Sequence, residues 1–243
     1  MIRALETSSN PYFALLAGDV CEDPEDLCSA SSLFGFGEKT GIDLPGEFAG
    51  KIPDDVSYNR TGLYSMAIGQ HSLLATPLQG AVMLAAIANG GNIVKPQITL
   101  KSEEVKWQLF MPREIQKPLV DGMRAVMIGE RGTGRFAKLQ FPRELISRTI
   151  GKTSTAEVIE RYGLDVTSRA LKSKEIWFGS VIYDKKDQPE IVVVIFLRDG
   201  EFGRHAVPFA LKIGEKWHEI CVKKASKRTE ETSHGKFTSS SRT

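Results

Sequence analysis

Glu175-Ile176-Trp177-Phe178-Gly179-Ser180-Val181-Ile182-Tyr183 and Glu190-Ile191-Val192-Val193-Val194-Ile195-Phe196-Leu197-Arg198 are two β-rich runs. Between them lies Asp184-Lys185-Lys186-Asp187-Gln188-Pro189, a polar turn. Apolar runs of this length bounded by turn residues read as strands, and a short polar link predicts an antiparallel hairpin. A third strand is expected upstream over 147–158, where Ile150, Thr153, Thr155 and Val158 keep a β composition. A helix over 206–222 is predicted to close the sheet, with Phe209, Ile213, Trp217 and Ile220 at helical spacing against it.

Upstream of the strands the period is helical. Thr76-Pro77-Leu78-Gln79 reads as a helix start: Thr76 as N-cap, Pro77 as first residue, Gln79 completing a capping box. This helix is expected to end at Asn89-Gly90-Gly91 and, being apolar nearly all round, to be buried and central. Shorter helices are expected over 10–18, with Asn10 as N-cap, and from about Pro24 to Gly35-Phe36-Gly37. A further helix is predicted over 115–128, with Pro118 in its first turn. Helices followed by an antiparallel sheet and a closing helix make an α+β fold. Residues 1–222 read as one domain, and 223–243, charged and then rich in Ser and Thr, as a disordered tail.

Composition excludes several classes. In 243 residues the formal net charge is +2, too small to suggest a nucleic-acid or membrane-surface partner. No apolar stretch reaches the ~18 residues of a membrane span. Cys21, Cys28 and Cys221 have no metal-ligand spacing, so no metal is expected. One or two buried thiols are the expectation, with a Cys21–Cys28 disulfide the alternative in an oxidising compartment. Asp43 and Glu47 read as loop ligands rather than a paired acid/base site, and His71 as a surface or supporting residue.

Two short motifs carry chemistry. Ser8-Ser9-Asn10 has the form Ser-x-Asn, and Gly151-Lys152-Thr153-Ser154-Thr155-Ala156-Glu157 has the form Lys-Thr-Gly-Thr with Ser154 in the glycine position. Together with Ser-x-x-Lys they mark acyl-transferring serine enzymes. Alone, the first is usually a helix cap and the second usually a half-buried strand. Longer blocks lie between and around them in a fixed order: Phe34-Gly35-Phe36-Gly37, Thr40-Gly41-Ile42-Asp43-Leu44-Pro45-Gly46-Glu47, Ala67-Ile68-Gly69-Gln70, Thr76-Pro77-Leu78-Gln79, Ala88-Asn89-Gly90-Gly91 and Trp177-Phe178-Gly179.

Over residues 5–222 the chain resembles the transpeptidase domain of class B penicillin-binding proteins, the elongation type (penicillin-binding protein 2) more than the division type (penicillin-binding protein 3). The resemblance implies the penicillin-binding, β-lactamase-like fold, incomplete at the N-terminus, and acyl transfer on D-Ala-D-Ala stem peptides through a serine ester. In that pattern Ser8 relays a proton, Asn10 holds the substrate amide, and Lys152 keeps the site electropositive. Thr153, Ser154 and Thr155 line the substrate groove, with the N–H of Thr155 as oxyanion donor. Strand parity puts Thr153 and Thr155 on one face and Lys152 and Ser154 on the other.

The resemblance also implies β-lactam binding, a membrane glycan polymerase as partner, the periplasmic face of the inner membrane as location, and no cofactor. The nucleophile's Ser-x-x-Lys has one literal match, Ser233-His234-Gly235-Lys236, in the expected tail. It is read as chance, so the nucleophile is expected to be absent from this chain. Two alternatives keep the same fold: a non-catalytic remnant and a β-lactam-sensing domain.

Overall fold

The computed structural model describes residues 1–99, 102–161 and 170–237, with side chains throughout except at 159–161, 170–171 and 224–237. The first half holds α1 (Ile2–Thr7), α2 (Asn10–Leu15) running into a π turn (Leu16–Val20), α3 (Asp26–Leu33), α4 (Arg60–Met66) and α5 (Pro77–Ala88). A small antiparallel pair follows, β1 (Asn92–Val94) and β2 (Val105–Gln108). Then come α6 (Arg113–Ile128), a 3-10 turn (Arg135–Leu139) and α7 (Arg143–Ser147). The main sheet is β3 (Thr149–Arg161), β4 (Ala170–Tyr183) and β5 (Pro189–Leu197), antiparallel in that order, and a 3-10 turn (Gly203–Ala206) leads into α8 (Val207–Phe237).

The predicted hairpin is β4–β5, and β4 sits centrally between two partners because it is the strand most buried on both faces. On one face Ile176, Phe178 and Ile182 pack with Val126, Met127, Ala210 and Leu211. On the other, Val181 and Tyr183 pack with Leu84, Ile87, Met123 and Ile150. The α+β reading therefore holds, with α8 covering one face of the sheet, α5 the other, and α6 giving Val126 and Met127 to the first cluster and Met123 to the second. Among the described residues no helix is long and apolar enough to cross a membrane.

The start of α5 follows local chemistry to the residue. Thr76 Oγ1 accepts the Gln79 N–H, and Gln79 Oε1 accepts the Thr76 N–H. Gln79 does more than cap. Its Nε2 donates to the carbonyls of Glu38 and Ala49, each at 2.8 Å, and of Gly35 at 3.3 Å, with the residue 1% exposed. The loop before α5 is tied down separately. Glu47 accepts the Thr40 and Gly41 N–H groups, and Asp43 accepts the Ile98 N–H and the Thr99 hydroxyl. The Thr99 hydrogen bond leads the causes that hold the Asp43 carboxyl down at about 2. Both acids are loop ligands. His71 lies 2.7 Å from Asp55, which also accepts from Asn59, the N-cap of α4.

Five expectations are corrected. Ser9, not Asn10, is the N-cap of α2, and Asn10 is its first helical residue. Helix α6 begins at Arg113, so Pro118 lies beyond the first turn, inside the helix. The helix α8 runs to Phe237, so Val222 is not where regular structure stops. Residues 223–231 contain neither Gly nor Pro and are rich in Lys, Arg, Glu and Ala, which sustain a helix already anchored upstream. Residues 238–243 lie outside the described part. All three cysteines are free, Cys21 exposed and Cys28 and Cys221 half-buried, so the expected buried thiol is not found either.

The fifth correction concerns which face of α8 meets the sheet. Phe209, Ile213, Trp217 and Ile220 are 53%, 45%, 39% and 40% exposed. The buried stripe is Ala206, Ala210 and Gly214, flanked by Val207 and Leu211. A Cβ at Gly214 would lie 2.0 Å from Ile182 Cδ1, so the helix backbone touches the sheet only because that position is bare. Small residues let the axis come close, and bulky ones are left pointing away. Gly214→Val should therefore cost about 1–3 kcal/mol through overpacking, read as a lowered denaturant midpoint. An unchanged midpoint would mean that α8 does not seat on Ile182.

Candidate active site

Ser8 ends α1 in the left-handed region, φ 53° and ψ 52°. A non-glycine residue there carries strain of roughly 1–2 kcal/mol, a feature found where geometry serves a site. The strain is held by what α1 touches. The Ser9 N–H returns to the Ala4 carbonyl at 2.9 Å, the Thr133 N–H reaches the Glu6 carbonyl, and the Arg131 N–H donates to the Glu6 carboxylate at 2.9 Å. Leu5 packs where a side chain on Gly122 of α6 would stand. Thus α6 and the turn after it fix the end of α1 beside β3.

At that junction Lys152 Nζ donates to Ser8 Oγ at 2.5 Å and to the Thr153 carbonyl at 2.7 Å, joining residues 144 positions apart. Burial holds the Lys152 ammonium well below its ordinary range, at about 8. It is mostly protonated at neutral pH, yet it gives up its proton far more readily than a surface lysine. A depressed lysine in hydrogen-bond contact with a serine hydroxyl can pass a proton through that hydroxyl to a reacting group.

The neighbouring β3 residues divide between faces. Thr153 is buried, its hydroxyl 2.6 Å from that of Thr133, and Thr155 Oγ1 accepts the Gly203 N–H at 3.0 Å. Lys152, Ser154 and Ala156 line a groove on the α5 side with Thr76 and Leu84. The cleft proper, about 410 Å³, is lined by Ser8, Asn10, Thr133, Thr153, Ser154 and Thr155. Ser8, Asn10 and the three residues from Thr153 thus share one cavity, and Lys152 joins them through Ser8. Asn10 is exposed at the opening of α2.

Several cleft residues escape sequence reasoning. Arg131, Arg135, Phe136, Phe202 and Arg204 line the same cavity. The Gly132-Thr133-Gly134 segment between the first two hints at a cleft-lining turn, but Phe202-Gly203-Arg204 carries no local signal. Gly203 is there because a Cβ would lie 2.4 Å from the Ser154 carbonyl oxygen. The bare position lets the segment after β5 press onto the β3 backbone and frame the cleft. No group of His, Cys, Asp and Glu that could hold a metal occurs among the described residues. The match Ser233–Lys236 falls among side chains that are not described.

This arrangement offers a proton path from Lys152 through Ser8, hydroxyls along one strand edge, and cationic walls, which suit an extended ligand with an anionic end. Residues 1–213 match the family described as penicillin binding protein transpeptidase domain. Peptidoglycan D,D-transpeptidase MrdA of Acinetobacter baumannii is 30% identical over 236 residues, 89% of this chain and 34% of that protein. Penicillin-binding protein H of Bacillus subtilis is 31% identical over 220 residues, 80% of this chain and 30% of that protein. Among solved structures, the penicillin-binding protein PBP2 from Helicobacter pylori matches with a TM-score of 0.75 at 26% identity, over 90% of this chain and 39% of that one. The chain spans about a third of the length of these curated relatives.

Proposed function

The chain belongs to the penicillin-binding protein transpeptidase family, in the class B, penicillin-binding protein 2 type, and from that premise we propose that it forms the substrate-gripping, proton-handling part of a peptidoglycan D,D-transpeptidase. The substrate is a stem peptide ending in D-Ala-D-Ala, and β-lactams occupy the same cleft. The observation that carries the reading is the 2.5 Å contact of Lys152 Nζ with Ser8 Oγ, at one end of a cavity walled by Thr153 and Thr155.

In this reading a serine hydroxyl from a Ser-x-x-Lys helix start gives its proton to that motif's lysine as it attacks the carbonyl between the two D-alanines, and the C–N bond breaks as the amine of the departing D-alanine takes a proton. Ser8 delivers that proton, resupplied by Lys152. Asn10 holds the peptide amide, the Thr155 N–H faces the developing oxyanion, and Thr153 and Thr155 set the peptide's register along β3. The working protein sits at the periplasmic face of the inner membrane and acts beside a glycan polymerase. Ser8, Asn10 and Lys152 are the partners of that nucleophile in this reading.

Calorimetric titration of the chain with N-acetylated tripeptides tests the proposal. A peptide ending in D-Ala-D-Ala should bind at least about tenfold more tightly than its L-Ala-L-Ala isomer. Ser8→Ala should weaken the former by roughly 1 kcal/mol, the scale of one hydrogen bond. A fluorescent penicillin should leave the chain unlabelled after denaturation. Equal binding of both stereoisomers, or no binding of either, rejects the assignment.

A further inference from the structure

The main sheet has the order β3-β4-β5, and among the described residues no strand pairs with the far side of β5. The ladder of β5 with β4 is unbroken from Ile191 to Leu197, and every residue of that stretch is apolar. Sheet edges are normally blunted by a charge, a proline or a bulge. None interrupts this run, so the outward N–H and C=O groups of β5 form a template for another strand.

The helix beside this edge is open on the same side. In α8, Ala206, Ala210 and Gly214 face the sheet. Val207 and Leu211, on one flank of that line, pack with Ala137, Leu145 and Ile146 from the segment before β3. Phe209, Ile213, Trp217 and Ile220 form the opposite flank, away from β3, and are exposed. An unpaired strand edge and an apolar helix flank therefore look out from one side of the molecule.

The same side of a second copy fits both. Glu190, whose carboxylate is 3.8 Å from His218 of its own chain, stands at the start of the apolar run, and Arg198 lies just beyond its end. A two-fold axis normal to the sheet pairs β5 antiparallel with its own copy and keeps each face on its side. Only residues of like parity can then stand opposite one another. Centred on Val194, the pairing places Glu190 opposite Arg198 of the partner subunit, twice by symmetry. It also sets Val192 opposite Phe196 of the partner subunit, an aromatic–β-branched pair. Moving the centre by one residue parts the charges. The helices follow. α8 touches both β4 and β5, and with strands about 4.8 Å apart a helix over their boundary lies about 10 Å from its two-fold mate, a helix-packing distance. An unrelated strand would need the reversed charge order and a helix of its own, and a second copy supplies both.

We propose that this side is an interface between two copies of the chain, in which β5 pairs antiparallel with β5 about a two-fold axis at Val194 and the exposed flanks of α8 meet above the joined strands. Two three-stranded sheets become one of six. The Ser8 cleft lies beside β3, at the other edge of the sheet, so both clefts stay open, with β3 and its mate roughly 24 Å apart.

Sedimentation of the full 243-residue chain over a range of concentrations should show a monomer–dimer equilibrium. Glu190→Arg or Arg198→Glu alone should weaken the dimer about tenfold, because each sets two like-charged pairs face to face. The double exchange should restore it. Trp217→Glu should weaken it through the helix flank. In a chain with Cys21, Cys28 and Cys221 replaced by alanine, Val194→Cys should form an intermolecular disulfide under mild oxidation and Val192→Cys should not, since only a residue on the axis meets itself. Melting verifies the fold of each variant. A chain that is monomeric throughout overturns the interface and leaves the stem-peptide reading standing. A dimer indifferent to the charge reversals, or one that crosslinks through Val192→Cys, overturns the β5 register. A dimer unchanged by Trp217→Glu overturns the part assigned to α8, and growth into open-ended oligomers overturns the two-fold pairing.

Discussion

Replacing Lys152 with methionine should raise the stability of the fold at pH 7 by on the order of 2 kcal/mol while lowering affinity for a D-Ala-D-Ala peptide at least about tenfold. The gain follows from burial. The fall from an ordinary 10.5 to about 8 is caused by desolvation, and at about 1.36 kcal/mol per pH unit it corresponds to roughly 3 kcal/mol spent on keeping a charge in that place. Methionine fills similar space without the charge, but Ser8 Oγ and the Thr153 carbonyl lose their donor, which takes back part of the gain. The pH dependence has a definite sign. Below about pH 8 folded and unfolded chains both bind the proton, and the cost is present in full. Between about 8 and 10.5 the unfolded chain still binds a proton that the folded one has released, so the lysine form becomes more stable as pH rises. Thermal melting of the two proteins should therefore show a large difference at pH 7 that shrinks toward pH 10. A difference that is constant with pH would mean that Lys152 is not a buried charge. The fold would then be sacrificing nothing to keep this residue.

Gln79→Leu should destabilise the protein by about 3–5 kcal/mol, close to the loss expected for an entire buried polar hub. The Gln79 amide serves the Gly35, Glu38 and Ala49 carbonyls and the Thr76 N–H. Leucine matches the volume and satisfies none of these groups. With the residue 1% exposed, water cannot replace the lost partners without opening the loop. Gln79→Glu separates packing from hydrogen bonding. Its carboxylate can still accept from Thr76 but would face three carbonyl oxygens, so it should be as damaging at pH 7 and recover partly in acid, when the protonated form can donate. Denaturant unfolding measures both. A loss below about 1 kcal/mol for leucine would show that the 35–50 loop is anchored elsewhere, with Glu47 and Asp43 the next candidates.

Much of the secondary structure was legible because its causes are local. The capping box of Thr76 and Gln79 lies within four residues of chain, and the observed start of α5 agrees with it. The β4–β5 hairpin follows from two apolar runs and one polar turn. The division of Lys152 from Thr153 follows from the period of a strand. The boundaries that moved did so for equally local reasons, such as Ser9 taking the cap beside Asn10. Long-range features were not legible. The cationic wall draws Arg131 and Arg135 from the turn after α6 and Arg204 from the turn after β5, and no spacing rule links those stretches.

The sequence by itself determined the order of the longer helices and of the three main strands, the alternation along β3 and the motifs at Ser8 and Lys152, since each is set by neighbours within one or two turns of chain; α1, α4, α7 and the β1–β2 pair carried no such signal. The tertiary structure alone decided that those motifs meet, because their contact depends on α6 holding the end of α1 against β3 across 144 residues. It also decided the face of α8. Helical periodicity marks the bulky stripe of Phe209, Ile213 and Trp217, but the approach distance to Ile182 favours the bare one at Ala210 and Gly214. Which stripe fits is a property of the surface opposite, and that surface does not exist until the sheet has formed.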